Sequence, residues 1–173
     1  MKTTILKFLT LSVAIFAFTN ISFGQGNTAS DNSTVGARII TPIAIENTAS
    51  LEFGNLLETG SLYTVTLDPV TGTTTGASRP SGLEGIIQAA SFSVTGELNA
   101  TYSISVPSEA VTLTNGAAGE ANSMTLDNFV PSKETGTISA TGDTFTVGAD
   151  LTVKASQEAG NYTGTFNVTV NYN

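Results

Sequence analysis

The sequence of 173 residues contains no cysteine, no histidine and no tryptophan. Lacking Cys and His, it can build no Ser-His-Asp triad, no Cys-His pair, no Cys/His zinc site and no thiol redox switch. Cationic side chains are scarce as well: 6 Lys and Arg stand against 14 Asp and Glu, a net charge of −8. Neutralising phosphates takes clustered Lys and Arg, so nucleic acid is not an expected partner. No D-x-D-x-D-G run marks a calcium loop. Without Trp, and with Tyr63, Tyr102, Tyr162 and Tyr172 all on apolar faces of extended runs, no flat platform for stacking a sugar is expected. These absences leave a domain expected to be non-catalytic, with no metal and no cofactor.

The one long apolar run lies at the N-terminus. Lys2 and Lys7 precede and flank it, Thr10 and Ser12 alone interrupt the stretch from Phe8 to Phe18, and Ser22 and Gly24 stand at the minus-three and minus-one positions of a cleavage site before Gln25. That is the pattern of a secretory signal peptide over residues 1–24. The run is shorter than the roughly 20 residues that a spanning helix needs. Its removal leaves four basic against fourteen acidic side chains, a net charge of 4 minus 14, or −10. The mature chain is thus expected to cross the inner membrane without inserting into it. Its destination would be the periplasm, the cell surface or the medium. Residues 25–34 are small and polar and read as a flexible leader.

What is abundant is threonine, at 29 of 173 residues, a β-branched polar residue suited to the wet face of a strand. From Val35 onward apolar residues recur at period two. Val35, Ala37, Ile39, Thr41, Ile43 and Ile45 put a mostly apolar set on one face of an extended run over 35–45, with Pro42 marking an edge or a bulge. Further runs centre on Phe53, on Tyr63, Val65 and Leu67, on Phe92 and Val94, on Tyr102 and Ile104, on Val111 and Leu113, and on Met124, Leu126 and Phe129. Asn115-Gly116 is a hairpin dipeptide, and Ile138 and Phe145 flank a second turn at Thr141-Gly142-Asp143. The clearest alternation closes the chain: Tyr162, Gly164, Phe166, Val168, Val170 and Tyr172 face one way and Thr163, Thr165, Asn167, Thr169 and Asn171 the other. Many short strands with frequent turns and no helical period predict an all-β fold over 35–173. The expected form is an immunoglobulin-like or pilin-like antiparallel β-sandwich with Greek-key connections.

The carboxylates Glu84, Glu97, Glu109, Glu120, Asp127 and Asp143 fall at turns or strand ends with no convergent spacing, so they read as solvated surface groups rather than as a catalytic pair. Residues 68–85 hold four Gly, two Pro and four Thr and predict an exposed loop or long-tipped hairpin.

Several separated segments resemble the domain-of-unknown-function family 4402, a group of secreted bacterial proteins of the Bacteroidetes and Proteobacteria. They are Leu51-Glu52-Phe53-Gly54, the run ASFSVTGELNATYSI from Ala90 to Ile104, Asp127-Asn128-Phe129, and the closing AGNYTGTFNVTVNY from Ala159 to Tyr172. The last of these is also similar to the end of chaperone–usher pilus subunits, with Tyr172 as the second residue from the end and Gly160 as the fourteenth. That resemblance implies assembly by donated strands, with the chain itself, related subunits and a periplasmic chaperone as partners. It makes Gly160, Tyr162, Phe166, Val168, Val170 and Tyr172 the candidate assembly strand and Val35, Ile39, Ile43 and Ile45 the candidate pairing strand. Residues 35–45 fit the donated strand and equally the domain's own first strand. The cysteine pair of many pilins is absent. The function expected is that of a fimbrial-subunit-like or adhesin-like structural protein. The alternative is a stand-alone module that binds carbohydrate or protein through residues 68–85.

Overall fold

The computed structural model describes residues 28–173. The expected signal peptide, 1–24, and residues 25–27 of the leader lie outside the described residues. Ile39–Asn173 is one compact unit, and residues 28–43 carry no strand or helix. In chain order the strands are β1 (Ala44–Ala49), β2 (Glu52–Phe53), β3 (Tyr63–Leu67), β4 (Thr74–Thr75), β5 (Ile87–Gln88), β6 (Ala90–Thr95), β7 (Thr101–Ser105), β8 (Val111–Thr114), β9 (Ser123–Pro131), β10 (Thr135–Thr137), β11 (Asp143–Val153) and β12 (Thr169–Tyr172). A single 3₁₀ turn, Glu120–Asn122, sits in the β8–β9 connection.

Every ladder is antiparallel, and most join strands distant in sequence. β11 is the axis. Val147 pairs with Ala90 of β6 on one side and Pro131 of β9 on the other, and Leu151 pairs with Val65 of β3 and Leu126 of β9. One edge of β11 therefore carries β6 and then β3, while the other carries β9, with β8 beyond it. β1 closes one end of this sheet by pairing with β6. A second sheet runs β10–β7–β12, and β2 and β5 form a short ribbon. The fold is the expected all-β, sandwich-like one.

Alternation decides which residues enter the core. Phe145, Val147, Ala149, Leu151 and Val153 of β11, Phe92 and Val94 of β6, and Val65 and Leu67 of β3 are all buried. In β9 the period slips, since the buried Met124 and Leu126 are followed by the buried Phe129. The register accounts for this: Asp150 faces Asp127 while Gly148 faces Val130, so β9 has one extra residue there. Such a bulge flips the phase of the strand and returns Phe129 to the core. Asn128 adopts the left-handed conformation at this point, which Asn tolerates better than most residues.

Three expectations need correction. The strand expected from Val35 starts at Ala44, since Pro42 offers no amide to a ladder. The runs either side of Gly142 do not pair as a hairpin beyond a Ser139–Gly142 bridge. Instead β10 joins β7, and β11 joins β6, so the chain passes from one sheet to the other here. The closing strand, expected to cover about ten residues, forms a ladder only over β12, although its faces alternate as expected.

A polar buckle fastens the two sheets. The hydroxyl of the buried Tyr102, on β7, donates to Asp143 Oδ2 at the start of β11 (2.9 Å). Lys133 Nζ donates to both oxygens of the same carboxylate at 2.7 Å. Burial pushes the Asp143 carboxyl upward, but the hydrogen bonds from Lys133, Tyr102 and the Thr144 amide outweigh it and hold the group below its ordinary value. Burial, with the adjacent carboxylate, raises the Tyr102 phenol well above its usual range. Gly136 on β10 lies against both groups, and a Cβ there would fall on Asp143 Oδ2 and the Tyr102 ring.

Two outcomes follow from the buckle. Gly136→Ala should destabilise the domain by about 1–3 kcal/mol through overpacking, measured by chemical denaturation, whereas Gly36→Ala, with nothing near its Cβ position, should leave stability unchanged. Because the Asp143 pKa is lower in the folded chain, its contribution is complete above the unfolded-state value and is lost as pH falls through the folded one. Denaturation midpoints measured from about pH 5 down to about pH 2 should therefore fall more steeply for the native sequence than for Asp143→Asn.

Candidate functional site

The closing segment has an apolar face anchored at three points. At its start the Tyr162 hydroxyl accepts from Nε2 of the buried Gln157 (2.8 Å) and lies within reach of the Ala121 and Glu158 carbonyls (3.0 and 2.7 Å). Gln157 Nε2 also donates to Ala121 O at 2.6 Å, so this network ties the segment to the β8–β9 connection. Sequence reading did not single out Gln157, because nothing local marks a polar side chain for burial. At the middle, Phe166 packs against Phe129 with centroids 4.9 Å apart and edge-on to Phe92 at 6.4 Å. Phe92 in turn stacks on Phe145 at 5.3 Å. At the end, Val170 is buried and pairs with Ile104.

Tyr172 forms a knot. Its hydroxyl accepts from the Glu97 amide and donates to the Thr41 carbonyl, each at 2.7 Å. The Thr41 amide completes the loop by donating to Glu97 Oε2 at 2.9 Å. Gly96 lets the phenol approach, since a Cβ there would clash with the hydroxyl oxygen. The residues just before β1 are thus bound to the end of β12 through side chains rather than through a ladder.

The candidate residues divide accordingly. Tyr162, Phe166, Val168, Val170 and Tyr172 lie together against the core, while Gly160 is exposed beside Asn115. Ile43 and Ile45 are half-buried against the same core. Val35 and Ile39 are not: they are 95% and 98% exposed.

The larger sheet has two ends, and they share one cleft. Across it the order is β1, β6, β11, β9, β8 and then Thr163, which bridges to Thr114 with two backbone hydrogen bonds of 3.0 Å. Asn47 and Leu51 from the β1 end and Tyr162 to Phe166 from the other line a cavity of about 460 Å³ with Phe92, Leu113 and Leu126 in its wall. The sheet curls until its ends lie on one opening. Among the described residues, β1 pairs only with β6. At the β1 margin the Ala49 and Ser50 carbonyls accept from the Asn47 and Gln88 side-chain amides, while residues 164–168 make no backbone–backbone hydrogen bond among the described residues.

Residues 68–85 are more ordered than a free loop. Asp68 Oδ1 accepts from the Val70 and Thr71 amides at 2.8 Å, closing the β3–β4 turn. Arg79 reaches Asn55 O (3.1 Å) and Thr74 Oγ1 (2.8 Å), which fixes the remainder against residue 55. The carboxylates are held by their surroundings too: Lys154 pairs with Glu120 at 2.7 Å and Lys133 with Asp143. No group of three acidic residues lies close enough to hold a metal ion among the described residues. Among them, too, no helix is long and apolar enough to cross a membrane.

Residues 43–172 match the family described as Domain of unknown function (DUF4402). No curated protein and no solved structure matches the chain.

The Tyr172 knot makes a specific forecast. Tyr172→Phe keeps the ring but removes the hydrogen bonds to the Glu97 amide and the exposed Thr41 carbonyl, at a cost of about 0.5–1.5 kcal/mol. Hydrogen exchange at residues 96–98 and 41–43 should accelerate while β11 stays protected. Unchanged exchange at these residues would show that the hydroxyl does not hold them.

Proposed function

The chain belongs to the DUF4402 family, and we propose that it is a secreted or cell-surface structural protein, fimbrial-subunit-like or adhesin-like, that acts by self-association or adhesion. One observation carries this reading. Val35 and Ile39, two large aliphatic residues on one face of an unladdered segment, stand almost fully in water. Burying each is worth about 1.5–3 kcal/mol, a gain that the fold of a single copy leaves unused at these two side chains. The same reading places the chain outside the inner membrane and gives it copies of itself, related subunits and a periplasmic chaperone as partners.

A second reading has its own support. Val70, Leu83 and Ile86, in or beside the 68–85 region, are 75%, 67% and 68% exposed on a framework fixed by Arg79 and Asp68, which suits a rigid contact surface for a protein or carbohydrate ligand.

Sedimentation of the chain from Gln25 onward tests the first reading. Its mean mass should rise with concentration, and Val35→Asp with Ile39→Asp should weaken association by roughly tenfold or more, as loss of one or two buried aliphatic side chains requires. A monomer at every concentration would remove self-association.

A further inference from the structure

We propose that Asn115-Gly116 is a self-modification site, where the Asn115 side chain converts to aspartate or isoaspartate without an enzyme once the start of the closing segment leaves it. It is the one Asn-Gly pair in the sequence. An asparagine side chain is attacked by the amide nitrogen of the residue that follows, and glycine, having no Cβ, obstructs that approach least. Gly116 is exposed, has a φ of 88°, and has nothing within 4 Å of where a Cβ would stand. Hydroxide takes the Gly116 amide proton, the nitrogen bonds to Asn115 Cγ, and the Cγ–Nδ2 bond breaks to release ammonia, whose third proton comes from water. One water then opens the five-membered imide at either carbonyl and leaves a carboxyl group; nothing is oxidised or reduced.

The fold holds both reacting groups closed. The Gly116 amide donates to Thr114 Oγ1 at 3.1 Å, and Asn115 Oδ1 accepts from the Ala117 amide at 3.0 Å. Asn115 Nδ2 donates to Asn122 Oδ1 (2.8 Å) and, more weakly, to the Tyr162 hydroxyl (3.4 Å). Asn122 is itself fixed, since its Nδ2 donates to the Ala118 carbonyl at 2.8 Å. Gly160 covers the same side chain: a Cβ there would stand 3.2 Å from both Asn115 Cβ and Nδ2. Asn115 is thus clasped between its own turn and the first residues of the closing segment, and these bonds must break before the nitrogen can reach Cγ. Conversion runs one way and weakens the clasp. A carboxylate at 115 has no proton to give Asn122 or Tyr162, and isoaspartate adds a methylene to the backbone beside the Asn115 amide that donates to Asn122 O at 3.2 Å. The modification therefore marks chains whose closing segment has opened and leaves that segment less firmly held.

The test follows conversion in the chain from Gln25 onward, kept in mildly alkaline buffer with or without unfolding guanidinium chloride. Mass spectrometry of the peptide holding residue 115 and methyl transfer by a protein isoaspartyl methyltransferase report the product. Asn32-Ser33, among the strandless residues 28–43, is the internal reference. Asn115 should convert faster than Asn32 in denaturant and more slowly than Asn32 in the native chain. Its native rate should be lower than its denatured rate by about tenfold or more, the factor that 1.4 kcal/mol of opening supplies. Tyr162→Phe removes the closing segment's hydroxyl, and Thr114→Val, at an exposed residue, frees the Gly116 amide. Either should raise the native rate at Asn115 several-fold and leave Asn32 unchanged, and hydrogen exchange at residues 162–166 should be faster in the converted chain. If Thr114→Val speeds conversion and Tyr162→Phe does not, the closing segment is no gate and the proposal fails. Native conversion at the denatured rate, no conversion in denaturant, a rate that neither variant moves, or exchange at 162–166 that conversion leaves unchanged would each overturn it as well.

Discussion

The architecture depends on one strand having neighbours along both edges. β11 spends its eleven residues pairing with β6, β3 and β9, and its inward face supplies Phe145, Val147, Ala149, Leu151 and Val153 to the core. Where such a strand is buried, its amides and carbonyls must be satisfied by neighbours. The bulge in β9 is a consequence: without the additional residue beside Asn128, either the ladder or the burial of Phe129 would fail. The Lys133–Asp143–Tyr102 buckle then joins the start of β11 to the second sheet, at the place where the chain crosses between layers.

The same constraint explains why the molecule has an opening. β11 organises the middle of the sheet, and pairing spreads outward from it until the chain runs out of strands. At the two ends, β1 is laddered on one edge to β6, and beyond the Thr163–Thr114 bridge the closing segment is held by side chains: Phe166 among aromatic rings, Tyr162 by Gln157, and Tyr172 by Thr41 and Glu97. Side-chain anchors fix position yet leave backbone groups unused. The exposed aliphatic run ahead of Pro42 is the basis of the proposed self-association. The Asp143 carboxylate, bound by Lys133 and Tyr102, serves as a structural contact between the sheets.

Much of this was legible in the sequence. The alternation from Tyr162 to Tyr172 assigned inward and outward faces that the structure retains, and the all-β character followed from period-two runs and turn residues. The Thr residues at 64, 66, 112, 114, 163, 165 and 169 lie exposed, as β-branched polar residues on a wet face should. Less visible were the buried Gln157, whose partners Ala121 and Tyr162 come from different parts of the chain, and the slip between Leu126 and Phe129, which makes sense only opposite Ala149.

By itself, then, the sequence determined which side of each extended run is apolar, since that is a local property of alternating side chains. Only the tertiary structure decided which runs pair, because ladder partners are chosen by contacts between residues dozens of positions apart. Residues 35–45 show the division most plainly. Their pattern marks one continuous apolar face, but the fold takes only the part from Ala44 into a ladder and leaves Val35 and Ile39 in water, because Pro42 interrupts the hydrogen-bonding edge and Tyr172 ties the backbone beside it.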